Sequence, residues 1–356
     1  MIGEATTAQR TGHTVVIVAM CIVLFMTALW SLSIGAMVIP LSDVSLTLLH
    51  TVGLFKDYAV QEVNEVVLTS IRLPRIVMTV LIGGALGVSG AALQGLFSNP
   101  LVEPSLIGVS SGAAAGVVMM VVFGAGLALP TVGIYHDLML PIAAFSGGLT
   151  ATYLVLTLSL QMGRMNIAVL VLVGVAVNAL AGAIIGLAIF YADENQLRTF
   201  TFWTLGDLGG ATWSKLMIAG PLLVGAVGGL SFFGRSLNGF VLGEAEAFHM
   251  GVDVERAKRL IVFFSAVGVG TSVSLAGMIG FVGLVVPHLV RVIFNADNTL
   301  VLPASILGGA WLLIVADVVA RTVVTPAELP IGVVTALIGS PFFIALLMKA
   351  KYKSQI

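Results

Sequence analysis

The chain has 356 residues, of which 58% are hydrophobic and only 9% charged, with a formal net charge of −1. A water-soluble domain carries roughly 25% charged residues, so this composition excludes a surface that faces water all round and makes lipid the solvent. The near-neutral balance offers no basic field for nucleic acid, and a single cysteine, Cys21, excludes an intrachain disulfide.

A helix crosses the hydrocarbon core with about 20 apolar residues. Residues 14–36, behind Arg10, form the first such run. The run is too long for the apolar part of a secretory signal and no A-x-A cleavage site follows it, which predicts a transmembrane helix. Runs at 74–94, 106–124, 138–160, 166–191, 213–234, 258–276, 279–295, 303–323 and 331–349 bring the count to about ten. The predicted fold is therefore all-α, one polytopic transmembrane domain over 1–356; the short alternating segments of a β-barrel do not occur. Glycines recur four apart at Gly83/Gly87, Gly108/Gly112/Gly116, Gly182/Gly186 and Gly225/Gly229, a spacing that lets helices pack closely.

An even count puts both termini on one side. With the termini inside, the inner cations are Arg10, Arg164, Arg235, Arg256, Lys258, Arg259, Arg291, Lys349, Lys351 and Lys353. The outer ones are Lys56, Arg72, Arg75, Arg198, Lys215 and Arg321. That excess predicts cytoplasmic termini.

Three features stand out from the apolar background. The first is the polar stretch at about 236–259, predicted to lie in the cytoplasm. Within it Gly243–Gly251 (GEAEAFHMG) reads as a short helix with Gly251 as its C-terminal cap. Asp253 is placed to cap the next helix, and Phe248 and Met250 are the expected apolar tip. The stretch reads either as a surface loop or as a docking element for a cytoplasmic partner. The second feature is Thr69–Arg75 (TSIRLPR), where Pro74 suits a first helical turn. Arg72 and Arg75, with Arg321, place three arginines at the outer face against the charge trend. They read either as interfacial anchors or as a cationic rim for carboxylates of an external protein or anionic solute. The third is a scarcity of polar residues inside the spans, chiefly Gln94 and Asn178, with Asp317 one turn from Arg321. That scarcity argues against proton or sodium coupling, and the scattered histidines hold no H-E-x-x-H pattern. No G-x-x-x-x-G-K-[ST] occurs, so ATP-driven transport would need a separate ATPase.

Arg72–Gly116, Gly277–Arg291 and Ala316–Lys349 strongly resemble, in order, the permease family of ABC importers for iron–siderophores, haem and vitamin B12. The resemblance implies the type II importer permease fold, with ten helices per subunit, in a bacterial cytoplasmic (inner) membrane. It implies a homodimer, two separate ATPase subunits that hold ATP and Mg, and a periplasmic or extracellular binding protein. No cofactor is expected on this chain, and no catalytic residue. Arg72, Arg75 and Arg321 match the outer arginines that salt-bridge glutamates of the binding protein. Gly243, Glu244, Phe248, His249, Met250 and Gly251 fall in the segment that seats in the ATPase. Asn99 and Leu101 match the turn that narrows the inner gate. Asn166, Ile167 and Ala168 stand at the second gate segment, which is Ser/Thr-rich in relatives, and predict a greasier constriction here. Asp193–Trp213 is most similar to haem permeases, while related stretches occur in vitamin B12 and siderophore members. Haem import is thus the expectation, with ferric-siderophore or cobalamin import as the alternative and an ion-coupled secondary transporter as the reading from another class.

Overall fold

A computed structural model describes residues 7–35, 37–51, 53–54, 61–124, 134–294 and 296–353; Lys56, counted above among the outer cations, lies outside them. Ten helices take the places of the predicted spans: α1 (Thr7–Ser33), α4 (Leu73–Leu96), α5 (Val109–Phe123), α6 (Ile134–Leu158), α7 (Ile167–Tyr191), α9 (Trp213–Ser231), α12 (Val254–Ala276), α13 (Val282–Phe294), α14 (Asn298–Thr322) and α15 (Ile331–Lys353). Among the described residues 7 helical stretches are long and apolar enough to cross a membrane, with shorter apolar helices at Val109–Phe123, Val282–Phe294 and Ile331–Ala345.

The connections carry helices that apolar runs could not reveal: α2 (Leu41–Thr51), α3 (Glu62–Val67), α8 (Glu194–Leu205), α10 (Gly234–Leu242) and α11 (Glu244–His249). Their polar faces hide them from a search for continuous hydrophobicity. Pro74 falls in the first turn of α4, as its position predicted, but the helical path does not begin there. Helix α3 runs into a π-helical turn, Leu68–Arg72, and straight on into α4. Pro74 sits just after that wide turn, where the missing proline N–H coincides with a ladder already interrupted. The indole Nε1–H of Trp213, at the start of α9, donates to the Thr69 carbonyl at 2.8 Å.

The core forms around α4, whose residues from Ile82 to Leu96 are all buried. Its closest neighbour is the antiparallel α14. A Cβ on Gly87 would lie 2.1 Å from the Ser305 carbonyl oxygen, and one on Gly309 would lie 2.1 Å from that of Gly83. Gly112 and Gly116 meet α6 in the same way, at Gly147 and Ala143. Backbone contact of this kind supplies the dispersion energy that replaces a hydrophobic driving force in lipid. Gly182 and Gly186 differ: an added Cβ there would meet nothing within 4 Å.

The α4–α14 contact predicts a sharp asymmetry between these pairs. Gly87→Val has backbone in its way and should abolish or nearly abolish recovery of folded protein from detergent. Gly186→Val should leave the thermal stability of the detergent-solubilised monomer nearly unchanged. Thermal unfolding followed by fluorescence-detected size exclusion checks both.

Candidate functional site

Because α4 and α14 are antiparallel, the N-terminal end of α4 lies beside the C-terminal end of α14, and the converse holds at the opposite end. The first junction gathers Arg72, Arg75 and Arg321. None forms an exposed rim: each is less than 10% exposed. Arg75 Nη2 lies 2.8 Å from Asp317 Oδ1 and 2.8 Å from Glu328 Oε2; Nε donates to the same Asp317 oxygen, and Nη1 to Glu328 Oε1 completes a two-oxygen fork on Glu328. Arg321 Nε stands 3.1 Å from Asp317 Oδ2, the pairing one turn apart that the spacing predicted.

The remaining donors go to the end of α1. Arg321 donates to the Ser31 hydroxyl at 2.7 Å and to the carbonyls of Ser31 and Ile34. Arg72 donates to the carbonyls of Leu32 and Met37. A helix ends with carbonyls that lack intrahelical partners, and away from water each must be satisfied by protein. Arg72 and Arg321 therefore cap α1, while Arg75 ties α4 to α14 and to Glu328. Three guanidinium charges face two carboxylates, Asp317 and Glu328, so the cluster keeps a surplus positive charge. Glu328 is the accessible member, its side chain 42% exposed.

The opposite end holds the other candidates. Asn99 follows α4 in a turn closed by the Leu101 N–H on its own Oδ1 at 3.0 Å, and both residues are exposed. Asn166 caps α7, its Oδ1 accepting from the backbone N–H groups of Ala168 and Val169 at 3.0 and 3.2 Å. Asn166 and Ala168 are exposed and Ile167 is half-buried. Asn178 lies further along α7, where it binds Ser111 and the Ser105 carbonyl, so its polarity is spent on packing α7 against α5.

The 236–259 stretch is more structured than expected. Helices α10 and α11 turn at Gly243, and α11 ends before Gly251, whose φ of +84° is the left-handed cap foreseen for it. The Asp253 carboxylate accepts from the Arg256 N–H at 3.1 Å, capping α12. Phe248 is exposed as anticipated, but Met250 turns inward and packs on the core. Glu244 and His249 are exposed. Helix α10 is stitched to the bundle through Asn238, which donates to Asp297 at 2.7 Å and accepts from the Asn298 N–H at 2.8 Å. Burial pushes the Asp297 carboxyl up, but donation from Asn238 and Thr299 outweighs it and leaves the group below the usual carboxylate range. Arg291 extends the network to Asn298 and to the Ala91 carbonyl on α4.

Comparison with known proteins agrees with this architecture. The FecCD transport family matches residues 21–349. The hemin transport system permease protein HmuU of Yersinia pestis is 44% identical over 283 residues, covering 79% of this chain and 83% of that protein. The cobalamin import system permease protein BtuC of Halobacterium salinarum is 41% identical over 291 residues, covering 82% and 76%. A solved ABC-transporter structure, described as of metal-chelate type and inward-facing, superposes with a TM-score of 0.80 at 31% identity, covering 94% of this chain and 98% of its own.

Sequence reasoning missed Glu328 as the second partner of Arg75 and missed the capping of α1. Pairs so far apart in the chain leave no local spacing to read. The geometry predicts that Asp317→Ala, which strands two buried guanidinium groups, costs about 3–5 kcal/mol. Glu328→Gln should cost far less, about 0–1 kcal/mol, because the Glu328 side chain is partly solvated. Chemical unfolding of the two variants in detergent micelles checks the order.

Proposed function

The chain belongs to the FecCD transport family, and from that premise we propose that it is the membrane-spanning subunit of an ATP-driven haem importer. It is a multi-pass permease of the ABC importer type that serves haem, vitamin B12 or iron–siderophores. In our reading two copies form the pathway, two separate ATPase subunits bind below, and a binding protein delivers haem from outside. The location is the bacterial cytoplasmic membrane with both termini in the cytoplasm. The observation that carries haem is the 44% identity to a hemin permease across most of both chains. A corrinoid is the second reading, favoured by the 41% identity to a cobalamin permease.

A face of α7 that no other described residue covers is where we place the second copy. Leu172, Val175, Leu180, Leu187 and Phe190 are exposed there, and the open Gly182 and Gly186 lie on the same helix. An apolar groove of about 630 Å³ between α5, α6 and α7 continues that surface. A flat, largely apolar macrocycle suits such walls. In our reading Asn99, Leu101, Asn166, Ile167 and Ala168 narrow the inner end of the pathway between the two copies. Helix α11, with Phe248 at its exposed tip, seats in the ATPase. These assignments make ATP and Mg the property of the partner subunit.

Docking of the binding protein falls to the end that carries Arg72, Arg75 and Arg321. Their surplus positive charge acts as a field on acidic groups, and the exposed Glu328 competes with an incoming carboxylate for Arg75.

The substrate is tested with the importer and its binding protein in vesicles. Haemin should stimulate ATP hydrolysis several-fold and accumulate inside, with ferrichrome and cobalamin well behind; a larger response to either of those overturns the haem assignment. The docking role is tested by affinity for the binding protein at low and high salt. Glu328→Gln should tighten binding a few-fold at low salt and steepen its salt dependence, because it adds net positive charge. Arg72→Gln should weaken it, with thermal stability measured alongside to separate capping from charge.

A further inference from the structure

Lys258 lies in the first turns of α12 and is 2% exposed. An ammonium group has three N–H donors, and three acceptors surround this one. Glu244 Oε2, on α11, is 2.6 Å from Nζ. Glu255 Oε1, on α12 itself, is at 3.3 Å. The Met165 carbonyl, on a small hairpin between α6 and α7, is at 3.1 Å. Glu255 then reaches across with its other oxygen, accepting from the Met165 N–H at 2.7 Å.

The hairpin pairs β1 (Leu160–Gln161) with β2 (Arg164–Met165) through Leu160 and Met165. Its turn is held by Met162 and Gly163 in the left-handed region. The next residue is Asn166, the cap of α7 and the start of the second gate segment. A single open cleft of about 1050 Å³ is lined by Met165, Asn166, Ile167 and Ala168 on one side and by Glu244, Glu255 and Lys258 on the other. The coupling helix and the gate segment thus share one buried cation.

We propose that Lys258 is a positioning residue that locks α11 to the gate hairpin, so that displacement of α11 by the ATPase carries the N-terminal end of α7 with it. This rests on the reading of α11 as the ATPase-docking element. The physical reason is that a buried N–H left without an acceptor is unfavourable. If α11 moved alone, Lys258 would keep Glu255 and the Met165 carbonyl but lose its shortest contact, to Glu244, so α11 and the hairpin held by Glu255 and Lys258 move together. An ordinary surface loop would have its lysine solvated and its carboxylates free to exchange with water.

The test uses the full importer in vesicles, with Cys21→Ser and a spin label on Met162→Cys, the fully exposed tip of the hairpin. In the otherwise wild-type protein, ATP should change the distance between the two labels of a dimer. Lys258→Met and Glu244→Gln should each remove most of that change and lower haemin imported per ATP hydrolysed at least fivefold. The double variant should be no worse than Lys258→Met, because both act through one link. An undiminished ATP-driven label response in Glu244→Gln overturns the proposal. That response needs no transported substrate, and the partly exposed Glu244 side chain makes the variant usable if Lys258→Met does not assemble. A crosslink from Phe248→Cys to the ATPase separates the two readings. Its absence defeats the docking role of α11, whereas a crosslink with an intact label response in Glu244→Gln defeats the Lys258 link alone.

Discussion

Helices α4 and α14 approach so closely that a Cβ on Gly83, Gly87 or Gly309 would run into the backbone of the facing helix, at Gly309, Ser305 and Gly83 respectively. That approach sets both ends of the molecule. At one end it brings Arg75 onto Asp317. At the other it brings the last turns of α4 against α10 and the start of α14, where Gly95 meets Leu237 and Asn298. An antiparallel pair of this length spans the hydrocarbon core, so the arginine cluster and α11 are held apart by the thickness of the membrane. Signals between them must pass through the bundle.

The behaviour of the arginines follows from the same solvent. In water, a cationic rim stays hydrated and pairs weakly with whatever arrives. Near lipid, helix ends leave carbonyls that no water can satisfy, and guanidinium groups with five donors are well suited to satisfy them. Arg72 and Arg321 are accordingly occupied with the end of α1, and Arg75 is held by two carboxylates. In our reading these cations oppose the positive-inside trend because they belong to the architecture of the bundle end. Their net charge still extends into the surroundings, so an architectural role and a part in attracting an acidic partner are compatible.

A parallel logic governs the cytoplasmic end in our reading. Two enclosed cations, the buried Lys258 and the half-buried Arg291, each gather acceptors from more than one element. Arg291 fastens α13 to α4 and α14, with Asn238 and Asp297 extending the fastening to α10. Lys258 fastens α12 to α11 and to the hairpin ahead of α7. Elements joined through an enclosed charge separate only at the cost of leaving some of its donors unpaired, which gives short polar helices a firm grip on long apolar ones.

The sequence by itself determined that the chain lives in lipid, where most of its helices run, and which family pattern it carries. Those properties depend on composition, on apolar runs of a length set by the bilayer, and on motifs contiguous in the chain. It also determined the local caps, because Asp253 and Gly251 act within a few residues of themselves. Only the tertiary structure decided which glycines pack and which stay open, since Gly83 and Gly182 have the same spacing pattern but different neighbours. It likewise decided that the three arginines turn inward, that Met250 is not part of the tip, and that Lys258, read from sequence as one more cytoplasmic cation, is enclosed. The partners of Arg75 stand 242 and 253 residues away, and the carbonyl that holds Lys258 stands 93 residues away. No periodicity in a single helix encodes such pairings; they exist only once the helices have chosen their neighbours.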